Sequence, residues 1–331
     1  MAMKVLYIGG TGEISTACVA RSVEVGHHVT VFNRGQRDEP LPDGVRRITG
    51  DLKDEAAYAA LGSEHFDVVC QFLAYDLEQV RRDLEVFAGH CGQYVFISTA
   101  SAYQKPPTDY VVTEATPLEN PFWPYSRAKA ACEALLMRQH ADGRLPVTVV
   151  RPSHTHRTRF PGGMVGGDDW AWRVLHDKPI LVHGDGTALW TLTYATDFAV
   201  PFVGLFGKAA ARGEAFHITR HMKAFAWDTI YTELGKALGV EPRLVHVPTD
   251  TLVRYHPAWA GPLLGDKAWS VLFDNTKVMG VAGEFTCAVS LGEAMARAAG
   301  HVRGRLEGFE PDPARHALLD RIAAEQQALG R

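Results

Sequence analysis

The stretch that decides the fold is "MKVLYIGGTGEIS", residues 3–15, in which an apolar run passes directly into a glycine-rich turn. The run Lys4–Ile8 predicts a buried β-strand, and the residues after Glu13 predict a helix. Glycines between a strand and a helix let a phosphate approach the backbone, where the amino end of the helix attracts negative charge. This context predicts a dinucleotide-binding turn, and the alternative is a structural turn without a ligand.

An alternation of strands and helices continues from this turn to about residue 151. Short apolar strands are predicted at Lys4–Ile8, His28–Phe32, Arg46–Thr49, Asp67–Phe72, Gln93–Ser98 and Pro146–Arg151. Helical patterns lie between them at Ile14–Val25, Glu55–Leu61, Leu77–His90 and Tyr125–His140. Because alternating elements of this length form right-handed crossovers, we predict an α/β fold with a doubly wound parallel sheet, the Rossmann arrangement.

The character of the sequence changes after Arg151. The stretch "RPSHTHRTRFPGGMVGGDDW", residues 151–170, is rich in glycine, proline and charge and predicts a long loop. Beyond it we expect short strands, such as Arg243–Val247, and helices at Trp227–Leu238, Leu291–Val302 and Pro313–Leu329. We therefore predict a dinucleotide-binding domain over residues 1–153. A smaller substrate-binding region, partly interleaved with the sheet, would cover residues 154–331.

Composition and charge argue against several classes of protein. The 331 residues are 46% hydrophobic, enough for one large domain or two tightly joined ones. A net charge of -4 without a basic run argues against a general binder of nucleic acid or anionic membranes. No apolar stretch reaches the roughly 18 residues of a membrane span, and the first apolar run is too short for a signal peptide. The five scattered cysteines contain no CxxC pair, which predicts reduced, mostly packed thiols and a cytoplasmic location.

Two residues of the glycine turn depart from the usual pattern. Ser15 stands where a third glycine is common, but it is small enough for the helix to pack closely on the sheet. Glu13 would place a carboxylate beside a pyrophosphate, which is repulsive. We therefore expect its side chain to point to solvent while its N–H group serves the ligand.

The end of the second strand bears on the choice of cofactor. It reads "VTVFNRG", residues 29–35, where an NAD-preferring site usually places an acidic residue that binds the ribose hydroxyls. Here Asn33 is followed by Arg34, whose guanidinium fits a 2'-phosphate. The sequence thus favours NADP, with NAD as an alternative. The alternative interpretation is that Arg34 is a solvated turn residue that does not contact the cofactor.

A catalytic constellation is predicted around "PYSRAKAACEALL", residues 124–136. Tyr125 and Lys129 are four residues apart, which places them on one face of a helix. The preceding strand ends in "FISTASAY", residues 96–103, which supplies hydroxyl groups. A phenol has an unperturbed pKa of about 10, and a nearby ammonium lowers that pKa. Such a set suits proton transfer during hydride chemistry.

These motifs resemble those of the extended short-chain dehydrogenase/reductase superfamily, in its NAD-dependent epimerase/dehydratase family. The resemblance covers nearly the whole chain and rests on "GGTGEIS", "GDL" at residues 50–52, "STASAY", "YSRAK", "RPSHT" and "GDGTALWTLTYATDFA". The chain is most similar to a subgroup related to the chloroplast stem-loop RNA-binding proteins, in which the turn commonly reads GGTGxIS. Ser15 therefore resembles a subgroup trait.

The resemblance implies roles for individual residues. Thr99, Tyr125 and Lys129 would be the catalytic set, with Ser98 and Ser101 as lesser candidates for the hydroxyl. The implied cofactor-binding residues are Gly9, Gly10, Thr11, Gly12, Glu13, Ile14, Asn33, Arg34, Asp51, Leu52, Phe72, Leu73, Ser98, Tyr125, Lys129, Pro152 and His154. The helices predicted at Leu77–His90 and Tyr125–His140 would pair across a two-fold axis, which implies a homodimer.

The substrate side departs from the family. Dehydratases carry Asp-Glu directly after the catalytic threonine, whereas this chain has Ala100 and Ser101, which argues against a 4,6-dehydratase. Relatives that bind nucleotide-diphosphate sugars usually carry two clamping arginines, at the positions of Trp190 and Leu263 here. Since neither residue can replace a bidentate phosphate contact, we expect a different substrate. Ser101, Trp190 and Trp123 are candidate substrate contacts, although the tryptophans fit an ordinary core equally well.

The loop "HTHRTRF", residues 154–160, supplies further candidates. His154 and His156 lack an evident third ligand, so no metal site is predicted. We expect the loop to be a mobile lid in which Arg157 or Arg159 reaches an anionic group. The alternative is a solvated basic loop.

Taken together, the residues indicate an NAD(P)-dependent oxidoreductase or epimerase that acts on a hydroxyl or carbonyl of a carbohydrate-like small molecule. An epimerase, which recycles its cofactor, and a net ketoreductase both remain open. The alternative is a non-catalytic or RNA-binding member of the same fold family. The acidic net charge and the intact Thr99, Tyr125 and Lys129 argue against nucleic acid as a partner. A redox-sensing regulator that binds the cofactor without turnover also stays open.

Overall fold

The structure is a computed structural model that describes residues 1–37 and 39–329. Its strands are β1 Lys4–Ile8, β2 His28–Asn33, β3 Arg46–Thr49, β4 Val68–Gln71, β5 Tyr94–Ile97, β6 Val111–Val112, β7 Val147–Pro152, β8 His154–His156, β9 Ile180–His183, β10 Leu189–Trp190, β11 Leu192–Tyr194, β12 Glu214–Ile218, β13 Phe225–Ala226, β14 Leu244–Val247 and β15 Leu272–Phe273. Its α-helices are α1 Ser15–Glu24, α2 Glu55–Ala59, α3 Leu77–Phe87, α4 Pro124–Ala141, α5 Gly167–Leu175, α6 Ala195–Gly204, α7 Trp227–Leu238, α8 Thr249–Tyr255, α9 Ala260–Pro262, α10 Thr276–Ala282, α11 Leu291–Leu306 and α12 Pro313–Leu329.

A seven-stranded parallel sheet forms the centre of the molecule, in the order β3-β2-β1-β4-β5-β7-β12. The chain runs outward from β1 to β3 and then returns to β4 on the other side of β1. In sheets of this kind a crevice opens at that reversal, beyond the carboxyl ends of the strands. The structure confirms the predicted doubly wound α/β fold.

The strands are apolar on both sides because helices cover both faces of the sheet. In β1, Leu6 and Ile8 pack into a cluster with residues of α3 and α4, whereas Val5 and Tyr7 pack against α1 and α6. All four side chains are fully buried. Burial of this kind contributes about 1.5–3 kcal/mol for each large apolar side chain. Since successive residues point to opposite faces, both faces of β1 are held by contacts with a helical layer.

The carboxyl-terminal part of the chain has a core of its own and also completes the sheet. Residues of α5, α7, α11 and α12 form one buried cluster. From the same part of the chain, β12 adds to the sheet beside β7 and α6 packs on α1. The two regions therefore interleave, and the boundary at residue 153 stays a prediction.

Two differences from the predicted elements concern the central sheet and the stretch 151–170. Strand β12 is not among the predicted strands. Its His217 ring is polar but buried, and it pairs with the Tyr103 hydroxyl at 3.0 Å. The stretch 151–170 is not one long loop, because it contains β8 and the start of α5. Strand β8 reads "HTH" and carries no apolar signal, but it pairs with β11.

Two further features concern membranes and thiols. Within residues 1–37 and 39–329, no helix is both long and apolar enough to cross a membrane. The five cysteines, all in this described part, are free thiols, and all but Cys287 are buried. The predicted packing of most of the thiols is confirmed, and their reduced state stays a prediction.

Candidate active site

A cavity of about 860 Å³ lies at the carboxyl ends of the central strands. Its wall includes Gly9 after β1, Phe72 after β4, Ser98 after β5 and Ser153 after β7. Cavities of about 300–1,000 Å³ typically hold small-molecule ligands and cofactors. The topological crevice and the cavity therefore coincide.

The glycine turn shapes one end of this cavity. Gly9 and Gly10 have φ of +115° and +86°, a conformation that other residues rarely adopt. A Cβ atom on Gly10 would lie 2.6 Å from Cγ1 of Val31 in β2. Gly10 thus lets the turn pack against the sheet, while Thr11 and Gly12 lie in the cavity wall. The contact predicted between Gly10 and a cofactor stays a prediction.

Ser15 stabilises the glycine turn through a hydrogen bond to its backbone. Its hydroxyl accepts a hydrogen bond of 2.9 Å from the Gly12 N–H group. Ile14 precedes α1 and provides no side-chain cap to the helix. The amino end of α1 therefore keeps backbone N–H groups available for an anion beside Ile14 in the cavity wall.

Glu13 does not point to solvent, which corrects the expectation from sequence. One oxygen of its carboxylate accepts hydrogen bonds of 2.9 Å from the N–H groups of Arg157 and Thr158. Burial acts to raise the pKa of Glu13, but hydrogen bonds from Thr158, Arg157 and Arg159 outweigh it and lower that pKa. The carboxylate is drawn to the loop because three backbone donors converge there.

The end of β2 provides a basic rim to the cavity. Asn33 is held by the turn, since it donates to the Gly9 carbonyl at 3.3 Å and accepts from the Gly35 N–H group at 2.9 Å. Arg34 lies in the cavity wall, as do Arg37 and Lys53. Asp51 and Leu52 line the same end. Three cations therefore surround the place predicted for the adenosine part of a dinucleotide.

The predicted catalytic hydroxyl groups lie together. Oγ1 of Thr99 is 3.0 Å from Oγ of Ser101, which in turn is 2.7 Å from Oγ of Ser126. Burial raises the pKa of Tyr125 to about 12, although the side chain of Thr99 acts to lower it. Ser98 lies beside them with a buried hydroxyl that has no partner within the described residues. The structure thus brings the predicted hydroxyl groups to one wall of the cavity.

Lys129 is buried below this wall. Its ammonium donates to the backbone carbonyls of Ala74 at 2.6 Å and Ile97 at 2.7 Å. Burial lowers its pKa to about 8. Burial is the largest effect on the pKa of Tyr125, and the lowering of that pKa by Lys129 stays a prediction.

The middle of the cavity is lined by Phe72, Leu73, Pro152 and His154, as predicted for cofactor contacts. The His154 ring packs on Trp190, with 4.6 Å between ring centroids. Burial, and then the charge of Lys267, hold the pKa of His154 well below its usual value. This imidazole is therefore neutral at physiological pH.

The two candidate tryptophans differ in position. Trp123 lies in the cavity wall. Trp190 is 2% exposed, stacks on Trp227 with 4.5 Å between ring centroids, and belongs to the carboxyl-terminal core. Leu263 is part of the same core. The structure therefore corrects the proposal that Trp190 stacks on a substrate, because β10 turns its ring into the core.

The two arginines of the 154–160 loop also separate. Arg159 lines the cavity. Arg157 forms an ion pair of 2.8 Å with Glu39, and the structure does not place it among the cavity residues in the part of the chain that it describes. The role predicted for Arg157 at an anionic substrate group is thus corrected, because Glu39 holds its guanidinium.

With this geometry established, the chain can be compared with known proteins. A family model described as "NAD dependent epimerase/dehydratase family" matches residues 5–218, which include the glycine turn and the Tyr125 helix. The chain belongs to this family. Its resemblance to the family, predicted from the motifs, is confirmed.

Two relatives are similar in sequence to most of this chain. The 2'-dehydrokanamycin reductase of Streptomyces kanamyceticus is 28% identical over 283 residues, which cover 82% of this chain and 77% of that protein. A chloroplast stem-loop binding protein of 41 kDa from Arabidopsis thaliana is 28% identical over 261 residues, which cover 73% of this chain and 65% of that protein.

Solved structures of epimerases share the fold. An epimerase from Methanothermobacter thermautotrophicus has a TM-score of 0.77 at 14% identity, over 92% of this chain and 94% of that one. UDP-glucose 4-epimerase from Thermus thermophilus, in a complex with NAD, has a TM-score of 0.73 at 21% identity, over 92% of this chain and all of that one. At such identities the likeness shows the Rossmann architecture alone.

The family's dinucleotide fits the residues of this chain. The helix that begins after Ile14 has no side-chain cap, so its first N–H groups are available. The space beside Gly12 is open, because an added Cβ atom would meet only the side chains of Ser15 and Arg37 within 4 Å. The buried hydroxyl of Ser98 has no partner within the described residues. A metal finds no such site: the described residues contain no group of three His, Cys, Asp or Glu side chains that could hold one.

Sequence reasoning missed several residues of the cavity wall. Arg37 and Lys53 continue the basic rim. They are basic residues that follow the ends of β2 and β3, and this position in the sequence is the signal that could have found them. Asp266 and Lys267 face the cavity from the π-helical turn Leu263–Lys267. No local pattern marks this pair, because only the folding of the distant turn against Trp123 brings it to the site.

Proposed function

We propose that this family member is an NAD(P)-dependent enzyme that interconverts a carbonyl and a hydroxyl group on a carbohydrate-like small molecule. The observation that carries the proposal is the meeting of Thr99, Tyr125 and Lys129 with the glycine turn in one cavity. Cofactor and substrate ends are thereby continuous, as hydride transfer requires.

In the proposed reaction, Tyr125 gives a proton to the substrate oxygen or takes one from it. Its pKa, raised to about 12 by burial, keeps the phenol protonated at neutral pH. A protonated phenol beside Thr99 is ready to give a proton to a carbonyl oxygen that becomes an alcohol. When bound, a reduced nicotinamide nucleotide would supply the hydride for that reduction.

A net reductase is the reaction that we favour. The name of the relative from Streptomyces kanamyceticus, 2'-dehydrokanamycin reductase, supports the same direction. An epimerase is the second candidate, since UDP-glucose 4-epimerase of Lactobacillus helveticus is 30% identical over 162 residues, 43% of this chain. An RNA-binding role, suggested by the name of the chloroplast relative, has the acidic net charge against it.

NADP is the cofactor that we propose, with NAD as the alternative. Arg34, Arg37 and Lys53 line the end of the cavity where the adenosine ribose would lie, and Asn33 offers no carboxylate to a ribose hydroxyl. Guanidinium groups suit a 2'-phosphate in charge and geometry.

The substrate that we propose is not a typical nucleotide-diphosphate sugar. The positions expected to clamp a diphosphate, Trp190 and Leu263, lie in the apolar core. The substrate end of the cavity instead carries Trp123 and the pair of Asp266 and Lys267, whose charged atoms are 3.2 Å apart. An aromatic face with adjacent donors and acceptors suits the rings and hydroxyl groups of a carbohydrate.

The assembly and compartment stay proposals as well. We expect a homodimer in which α3 and α4 pair across a two-fold axis, and sedimentation at micromolar concentration tests it. A cytoplasmic location is in keeping with the free thiols.

The deciding experiment is to denature the purified protein and identify any nucleotide that it releases, and then to titrate nucleotide-free protein with NADPH and NADH. An empty site that binds NADPH more tightly supports the reductase. Retained NAD in a near one-to-one ratio would favour the epimerase and overturn the NADP preference. Failure to bind either nucleotide would overturn the enzyme and favour the RNA-binding alternative.

A further inference from the structure

The side chain of Glu13 bridges two segments that lie 144 residues apart in sequence. Its carboxylate accepts the N–H groups of Arg157 and Thr158 at 2.9 Å and that of Arg159 at 3.3 Å. The Thr158 hydroxyl donates to the second carboxylate oxygen. Three consecutive amides and a hydroxyl group thus converge on one carboxylate of the glycine turn.

The same loop, residues 157–159, is also held from the other side. The Thr158 carbonyl accepts a hydrogen bond of 3.0 Å from Arg305 in α11, and Arg305 in turn pairs with Asp168 at 2.8 Å. The loop therefore lies between the glycine turn and the carboxyl-terminal core. Its last residue, Arg159, reaches the cavity wall.

The charge of Glu13 gives this bridge a consequence for ligand binding. The residue lies in the turn that would hold a pyrophosphate, where an unsatisfied carboxylate would repel the ligand. Hydrogen bonds to the loop satisfy both oxygens of the carboxylate. Release of the loop would leave this negative charge in the turn without its donors, so a closed loop and a bound nucleotide stabilise each other.

We propose that Glu13 is a positioning residue that ties the loop 157–159 to the glycine turn, so that nucleotide binding and the placement of Arg159 favour each other. The tie follows from contacts within this chain alone. The coupling to a nucleotide rests on the proposed function.

The test is to measure hydrogen–deuterium exchange of the full chain, as the natural protein and as Glu13→Gln, each with and without NADPH. Charge-assisted hydrogen bonds are about twice as strong as neutral ones, so the variant should exchange the loop amides roughly ten- to a hundred-fold faster without nucleotide. NADPH should protect the loop in the natural protein and protect it less in the variant. The variant should also bind NADPH several-fold more weakly, because the loop no longer holds Arg159 at the cavity wall.

Glu39→Gln is the matched control, because it removes the other acidic contact of the loop and leaves the amides and the glycine turn intact. It should change loop exchange by less than about two-fold, since partly exposed ion pairs contribute little. Glu13→Asp should restore part of the protection. Thr158→Ala, which removes only the hydroxyl donor, should raise exchange several-fold and serves if Glu13→Gln does not fold.

Three results would overturn the proposal. One is unchanged loop exchange in Glu13→Gln or Thr158→Ala together with tighter NADPH binding, which would mean that Glu13 merely repels nucleotides. Another is an equal effect of Glu39→Gln, which would mean general loosening. The third is faster loop exchange in Glu13→Gln with full NADPH protection, which would remove the coupling. If the natural protein binds neither NADPH nor NADH, the proposed function fails. Exchange of the loop amides without nucleotide then still tests whether Glu13 holds the loop 157–159.

Discussion

The ammonium group of Lys129 donates a hydrogen bond of 2.7 Å to the backbone carbonyl of Ile97, the last residue of β5. The Ala74 carbonyl accepts a second one at 2.6 Å. The charge is therefore held by one carbonyl at the end of β5 and one in the segment between β4 and α3, close to the rings of Phe96 and Tyr75. Within the described residues no carboxylate is hydrogen-bonded to it, so the two carbonyl dipoles are its hydrogen-bond partners.

We predict an opposite pH dependence for this lysine from that of an ordinary ion pair. Burial lowers the pKa of Lys129 to about 8, whereas an unfolded lysine titrates near about 10.4. Between these values the unfolded chain binds more protons, so the contribution of Lys129 to stability rises with pH. Urea unfolding of the natural protein and Lys129→Met from pH 8 to 10.5 should show the difference between them growing by roughly 3 kcal/mol. A constant difference would contradict the lowered pKa.

Tyr125→Phe should separate catalysis from binding. The substitution removes the phenol that would give or take a proton, and we expect activity to fall by about 10²- to 10⁴-fold. Nucleotide affinity and the unfolding midpoint should stay close to those of the natural protein, because Phe keeps the buried ring. Turnover of a carbonyl substrate with NADPH is the measurement, and RNA binding measured in parallel tests the alternative function. Undiminished turnover would remove Tyr125 from the mechanism.

Features that depend on local sequence are predictable for this chain. The glycine turn, the sheet and the helix of Tyr125 follow local rules of apolar spacing and turn chemistry, so short segments are enough to predict them. The direction of Glu13 could not be read in this way, because its partners lie at residues 157–159. Trp190 was equally ambiguous, since a tryptophan at the end of a short strand suits a core or a cavity, and only the ring of Trp227 decides between them.

Arg34→Ala should reduce the preference for NADPH over NADH. A guanidinium that binds a 2'-phosphate contributes a charge-assisted hydrogen bond, so NADPH affinity should fall by about ten- to a hundred-fold while NADH affinity changes little. Isothermal titration with both nucleotides measures the ratio. Arg47→Ala is the control, because Arg47 is exposed on β3 and the structure does not place it among the cavity residues that it describes. Equal losses for both nucleotides would argue against a 2'-phosphate contact.

Glu133→Gln should strongly destabilise the fold. Arg151 donates to the Glu133 carboxylate at 2.6 Å, and their side chains are only 7% and 4% exposed. Removal of the carboxylate charge leaves the guanidinium buried without its counterion, at a cost of about 3–5 kcal/mol. Urea unfolding measures the loss. Glu24→Gln is the control, since Glu24 is 68% exposed in its pair with Arg21 and should cost less than about 1 kcal/mol. Similar losses in the two variants would contradict a buried pair.

Gly10→Ala should disturb the glycine turn through two separable effects. A φ of +86° is strained for alanine, at a cost of about 1–2 kcal/mol. The new methyl group would also lie 2.6 Å from Cγ1 of Val31, and overpacking of this kind costs about 1–3 kcal/mol more. We expect the sum as a loss of unfolding free energy, together with weaker nucleotide binding, because the turn must move away from β2.

Gly26→Ala isolates the first effect. Gly26 has the same φ of +86°, and an added Cβ atom would meet nothing within 4 Å. This control should therefore lose only the strain of the backbone and keep its nucleotide affinity. The double variant Gly10→Ala/Val31→Ala should recover part of the loss of Gly10→Ala, since it makes room for the methyl group, and the departure from additivity measures the contact. Strictly additive losses would show that the turn relaxes away from Val31, and the close packing of the glycine turn on β2 would then not be what requires Gly10.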